Sequence, residues 1–203
     1  MRIDTAEQLR SLLGHPSELV MAKVHDHLSP QACDFIARSP LVILATANRD
    51  GMPTASPKGD VPGFVHTEGT HTLYLPERRG NKLLSSFLNL LENPRLGLIF
   101  LVPGCVETLR VSGTAELLDD PELASRLMVQ NAPALLTVKL RVTEAYFHCG
   151  KAFIRSNLWK AETWPTDFRV SLGREIGANL GKDATFAADI DAQVQQRYCD
   201  SLY

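Results

Sequence analysis

Between Leu41 and Phe147 the sequence breaks into six short runs of apolar and β-branched residues. Helical patterns occupy only two of the connections. A parallel pair needs a crossover of about a dozen residues or more, so most neighbouring strands have to run antiparallel. Leu41–Ala47 (LVILATA) reads as a buried strand, Asn48-Arg-Asp-Gly51 as a turn, and Met52–Lys58 as the returning strand. Pro57 falls near the end of that strand, where a missing donor is tolerated. After a Pro/Gly-rich loop, Thr72–Leu75 is a third strand, Leu96–Leu101 a fourth, Thr108–Leu118 a fifth and Ala134–Phe147 a sixth. Along the fifth, Val111, Gly113, Ala115 and Leu117 share one parity, as in a strand with one buried face. Lys82–Glu92 repeats Leu with Phe87 at helical spacing and is ended by Asn93-Pro94, and Pro121–Asn131 is a second helix. Six strands with few helices argue for a mainly β fold, a small antiparallel barrel or strongly bent sheet with peripheral α-structure.

The flanks read differently. Residues 1–40 form a helical arm. Thr5 and Gln8 make a capping box ahead of Leu9, Leu12 and Leu13, a second helix spans Ser17 to His27, and Ser29-Pro30 opens a third with Phe35 and Ile36 inward. Residues 148–203 are an irregular segment that ends in a helix over about Ala187–Leu202. The whole chain, 1–203, is expected to be one domain. A net charge of −2 offers no basic field for nucleic acid. Cysteines at 33, 105, 149 and 199 are scattered, without CxxC or a Cys/His pair, which argues against a zinc site or a disulfide framework. No run approaches the length of a membrane span, and the acid-containing first residues do not read as a signal peptide. The expectation is a cytoplasmic protein that binds no metal.

Three segments concentrate polar and basic residues at strand and helix ends. In SPKGD, Lys58 projects from a strand end, Gly59 admits close approach of a flat ligand, and Asp60 can orient the lysine. RRGNK, Arg78–Lys82, leads into a helix, where free amides and the helix dipole would join Arg79 and Lys82 in holding an anion. In ETLRVSG, Thr108, Arg110 and Ser112 share the face opposite Val111 and Gly113. Each segment has a plain alternative as a solvated surface. Neither a GxxxxGK[ST] loop nor GxGxxG is present. A fourth segment, CGKAFIRSNLW, spaces Lys151, Arg155 and Trp159 as one helical face, either a substrate-side surface or interface core with solvated charges. Cys149 reads as packing, and no Ser-His-Asp set or carboxylate pair marks a catalytic residue.

Together these segments resemble the pyridoxamine 5′-phosphate oxidase-like, FMN-binding split-barrel superfamily. RRGNKLLSSFLNLLENPRLGLIF is similar to that family's Arg/Lys pair, helix ending in NPR and hydrophobic strand, and TLRVSG to its Q-V-R-V-x-G strand. SPKGD, LVPG-x-x-ETLRV and FHCGKAFIRSNLW resemble a subgroup of FMN-dependent enzymes whose substrate is not assigned. The resemblance implies a six-stranded split β-barrel, a homodimer, and FMN at the subunit interface. It implies that Arg79 and Lys82 hold the phosphate with Asn81 nearby, that Ser56, Lys58 and Gly59 border the ring, and that Thr108 and Arg110 occupy the V-R-V strand of the site. Lys151, Arg155 and Trp159 would serve the partner's side or the substrate.

The chain departs from the oxidase at the Gln before V-R-V, which is Thr108, at the S-R-K triplet, which reads G-N-K, and in lacking the C-terminal Arg and Trp pattern for pyridoxamine. The implied activity is therefore an FMN-dependent oxidoreductase of another small molecule. A flavin carries hydride and electron chemistry itself, in keeping with the lack of a protein nucleophile or metal cluster. Competing readings are a flavin store or redox sensor, a deazaflavin-using reductase and a haem-handling protein.

Overall fold

The computed structural model describes residues 2–202. Three helices open the chain: α1 (Ala6–Leu13), α2 (Glu18–Met21) and α3 (Pro30–Arg38). Thr5 and Gln8 close the expected capping box, and Ser29 caps α3 with Pro30 in its first turn. The second helix is a single turn rather than a run to His27. Beyond it His25 pairs its backbone with Ala145, which pins the arm to the sheet instead of extending the helix.

Seven strands follow, one more than the sequence reading. They are β1 (Leu41–Ala47), β2 (Pro53–Gly59), β3 (His66–Glu68), β4 (Thr72–Glu77), β5 (Arg95–Leu101), β6 (Thr108–Leu118) and β7 (Leu136–His148). The extra strand, β3, is three residues inside the Pro/Gly-rich loop, and it exists because His66–Glu68 pairs with β4 across a tight turn. Every pairing is antiparallel, in the order β2-β1-β5-β6-β7-β4-β3.

Between β1 and β2 the turn closes on Gly51 at φ 81°, with Met52 N–H donating to Asn48 Oδ1. β6 and β7 shift register between Ser112 and Gly113, and a Cβ on Gly113 would stand 2.0 Å from the carbonyl oxygen of Arg141. Only glycine lets the two backbones approach that closely.

The core is built from one parity of each strand. Val42 and Leu44, Leu96, Leu98 and Phe100, Leu109 and Val111, and Val138, Leu140 and Val142 are buried with Leu28, Ala32 and Ile36 from the arm. Burying a side chain such as Phe100, at 0% exposure, contributes about 1.5–3 kcal/mol before entropy is charged.

The helix between β4 and β5, α4 (Ser85–Glu92), begins three residues later than its sequence pattern. Lys82 and Leu84 adopt left-handed backbone (φ 61° and 57°), which keeps residues 78–84 as a loop. Beyond β6 lies α5 (Pro121–Arg126), one turn and a half rather than a helix to Asn131.

The C-terminal quarter is more helical than expected. It contains α6 (Lys151–Ser156), a 3₁₀ turn at Ala161–Thr163, α7 (Leu172–Leu180) and α8 (Ala184–Asp200). Asp191 ties α7 to α8 by accepting from Ser171 Oγ at 2.5 Å and from Gly173 N–H at 2.7 Å. No helix among the described residues is long and apolar enough to cross a membrane.

Candidate functional site

Alternate residues of β2 point toward α4, and each finds a partner there. Thr54 Oγ1 accepts from Asn89 Nδ2 at 3.2 Å, an amide that also reaches Thr46 Oγ1 at 3.1 Å. Ser56 Oγ meets Ser86 Oγ at 2.9 Å, and Lys58 Nζ lies 4.8 Å over the centre of the Phe87 ring. Farther along the helix, Asn93 Nδ2 donates to the Ala47 carbonyl. These contacts hang α4 across β1 and β2, so the loop that precedes it is held over the end of β2.

The end of β2 meets the end of β4 there, and a cleft of about 1130 Å³ opens between them. Its lining runs from Ser56 to Asp60, from Pro76 through the loop to Phe87, and includes Leu135, Leu136 and Leu202. Six of the sequence-derived site residues come together in it: Ser56, Lys58, Gly59, Arg79, Asn81 and Lys82. Four cations and two carboxylates line the cleft, and the acids are already committed. Glu77 Oε2 is 2.6 Å from Lys58 Nζ, with both side chains 18% exposed. Asp60, whose side chain is 1% exposed, takes Arg78 Nε at 2.8 Å.

Arg78 also donates to the carbonyls of Leu127 (2.7 Å) and Ala132 (3.4 Å). It is thus a structural residue that fastens the loop to the segment after α5. Arg79 and Lys82 are exposed, and neither is ion-paired among the described residues. Asn81 Oδ1 accepts from Leu83 N–H at 3.0 Å and shapes the turn between them. The surplus of two positive charges therefore sits on one loop at the mouth, the arrangement a phosphate dianion needs.

The remaining sequence-derived residues lie elsewhere. Thr108 is buried at the start of β6, opposite His148. Arg110 stands on the outer face with its guanidinium 5.6 Å from the centre of the Tyr146 ring, which Lys23 Nζ approaches at 5.8 Å. Neither lines the cleft. Lys151, Arg155 and Trp159 do not form one helical face, because α6 ends at Ser156 and Asn157 turns left-handed. Trp159 instead stacks on Phe153 and donates from Nε1 to the Cys105 carbonyl at 2.7 Å, anchoring the segment to the β5–β6 loop.

Sequence reasoning passed over Glu77, Ser86 and Phe87 in the cleft. Glu77 carried no signal beyond its place at the end of a strand, and its partner is 19 residues away.

Residues 28–149, well over half of the chain, match the sequence profile of pyridoxamine 5′-phosphate oxidase. The chain belongs to that family. The match to the oxidase family spans the barrel with α3, and it includes the whole cleft-forming stretch from β2 to α4.

Parts of the chain are similar to solved structures. One is HupZ from Group A Streptococcus, 16% identical, with 59% of this chain and 92% of that one aligned at a TM-score of 0.48. Another is an FMN-binding protein from Syntrophomonas wolfei subsp. wolfei, 12% identical, with 70% and 96% aligned at 0.46. A third is General Stress Protein 26 from Bacillus anthracis, 17% identical, with 56% and 88% aligned at 0.42. No curated protein matches the chain.

Proposed function

We propose that the cleft holds FMN and that the chain is a homodimeric, cytoplasmic oxidoreductase of a small organic molecule. The supporting observation is the charge arrangement: Lys58 and Arg78 are spent on Glu77 and Asp60, while Arg79 and Lys82, on a single loop, have no ion-pair partner among the described residues. In this reading Arg79 and Lys82 hold the phosphate with Asn81 beside them, and Ser56, Lys58 and Gly59 border the ring. The cleft volume of about 1130 Å³ accommodates a mononucleotide with room for a second small molecule. Bound there, the flavin supplies the two-electron chemistry. The protein contributes orientation, charge and exclusion of water.

Dimerisation is supported by an apolar strip beside the mouth. Leu83, Leu84, Leu88, Leu91 and Leu135 are all exposed, a patch that a second copy would cover. Thr108, Arg110, Lys151, Arg155 and Trp159, away from this chain's cleft, would then serve the partner's. Four free cysteines agree with a reducing compartment.

Titration with FMN tests the reading. The expected result is one FMN bound per chain with the absorption bands of oxidised flavin, tighter than riboflavin, followed by repeated turnover of NADH or NADPH. A protein that stays colourless in excess FMN overturns the reading. Reduction that stops at one equivalent per flavin assigns a store or sensor instead. Sedimentation of a monomer would remove the dimer.

A further inference from the structure

One carboxylate oxygen in the cleft has no hydrogen-bond partner among the described residues. Glu77 Oε2 accepts a hydrogen bond from Lys58 Nζ, while Glu77 Oε1 receives none from the described residues. Among those residues no buried side-chain oxygen is left unsatisfied, so Oε1 is open to the cleft. Gly80 leaves room beside it, since a Cβ at that position would stand 3.9 Å from Oε1. Lys58 in turn spends one of its three protons on Glu77 and is steadied over the Phe87 ring. The wall therefore presents a donor, Lys58 Nζ, beside an acceptor, Glu77 Oε1, the two held together through Glu77 Oε2 at 2.6 Å from that Nζ.

A planar amide carries the complementary couple. From ordinary bond lengths its N and O lie about 2.2 Å apart, so the N–H can donate to a carboxylate while the neighbouring C=O accepts from an ammonium. We infer that Glu77 and Lys58 together read an imide edge on the ligand's ring, Glu77 accepting from the ring N–H and Lys58 donating to the adjacent carbonyl. This rests on the flavin reading above, in which that edge is N3–H with a flanking carbonyl, and it makes Glu77 a specificity-determining residue. A ring alkylated at that nitrogen leaves the carboxylate without its donor in a partly desolvated wall, a loss of about 1–3 kcal/mol, or roughly 5- to 150-fold in affinity.

The test compares FMN with its N3-methyl analogue by quenching of flavin fluorescence. Wild-type protein is expected to bind FMN at least about tenfold more tightly than N3-methyl-FMN. Glu77→Met should bring the two within about twofold, and Glu77→Gln, which keeps an acceptor without the charge, should fall between, with thermal melting confirming that each is folded. Should Glu77→Met fail to fold, the reduced discrimination expected of Glu77→Gln carries the test. Equal binding of both flavins by the wild type overturns this inference alone, as does full discrimination retained by a folded variant. Binding of neither flavin overturns it together with the flavin reading.

Discussion

Arg78 Nε lies 2.8 Å from Asp60 Oδ2, joining the residue that follows β4 to the residue that follows β2, two strands that are not hydrogen-bonded neighbours. Asp60 is nearly inaccessible and Arg78 is 11% exposed, so the pair is largely dry. Asp60→Asn leaves a buried guanidinium facing a neutral amide, and breaking such a pair from one side costs about 3–5 kcal/mol. Urea denaturation should show that loss, with Arg78→Met adding little in the double variant. An Asp60→Asn protein as stable as the wild type would refute the structural role of Arg78.

Removing either exposed cation should separate phosphate recognition from ring recognition. Lys82→Ala and Arg79→Ala are each expected to weaken FMN binding about tenfold, the size of one lost charge-assisted hydrogen bond, while riboflavin binding is unchanged. Calorimetric titration with both ligands checks this. Parallel losses for the two would mean the loop does not hold the phosphate.

In the proposed site Lys58 would bear on the flavin's electronics. A cation beside the pyrimidine edge favours the anionic reduced form, so Lys58→Met should lower the bound flavin's two-electron potential. Glu77 offsets part of that charge at 2.6 Å. The expected fall is therefore modest, about 30 mV if the cation is worth about 1.4 kcal/mol. Dye-equilibrated reduction measures it, and an unmoved potential contradicts the role.

His66, on β3 opposite Tyr74, has its pKa pushed below the ordinary histidine value of about 6.5, first by burial and then by the charges of Arg126 and Arg78. The fold holds the neutral ring and the unfolded chain binds the proton more readily. This contribution to stability is therefore present above pH 6.5 or so and is lost as pH falls through the lower folded-state value. His66→Gln should flatten the acid limb of the stability profile below about pH 6.5, as read from urea midpoints.

Gly113→Ala tests the close approach of β6 to β7. The added carbon would stand 2.0 Å from Arg141 O, and that backbone cannot yield without breaking the ladder. A loss above about 2 kcal/mol in unfolding free energy is expected.

The barrel was legible where one periodicity governed a whole element. β1 at Leu41–Ala47 has the limits of its apolar run and β6 at Thr108–Leu118 those of its strand-like run, whose alternation marks one buried face, and Pro30 and Ser29 marked the start of α3. β3 was not, because three residues are too few for any period and pairing with β4 alone makes them a strand. α7 was hidden by Gly173 and Gly177, which weaken a helix in isolation. For Gly173 the reason is tertiary: a Cβ there would stand 1.9 Å from Ala187 O on α8.

In the cleft, the basic loop announced itself in sequence, with Arg79 and Lys82 read as the residues that would hold an anion. What the fold adds is the role of their neighbour: Arg78 is buried against Asp60, while Arg79 and Lys82 stand in solvent.

β2 and β4 face each other across the cleft without a shared ladder, and Lys58–Glu77 and Asp60–Arg78 close the distance. The molecule thus has a seam sewn by side chains in a wall otherwise woven by amides. Cutting either stitch therefore weakens the cleft wall and the fold together, while every β-ladder keeps its amide bonds.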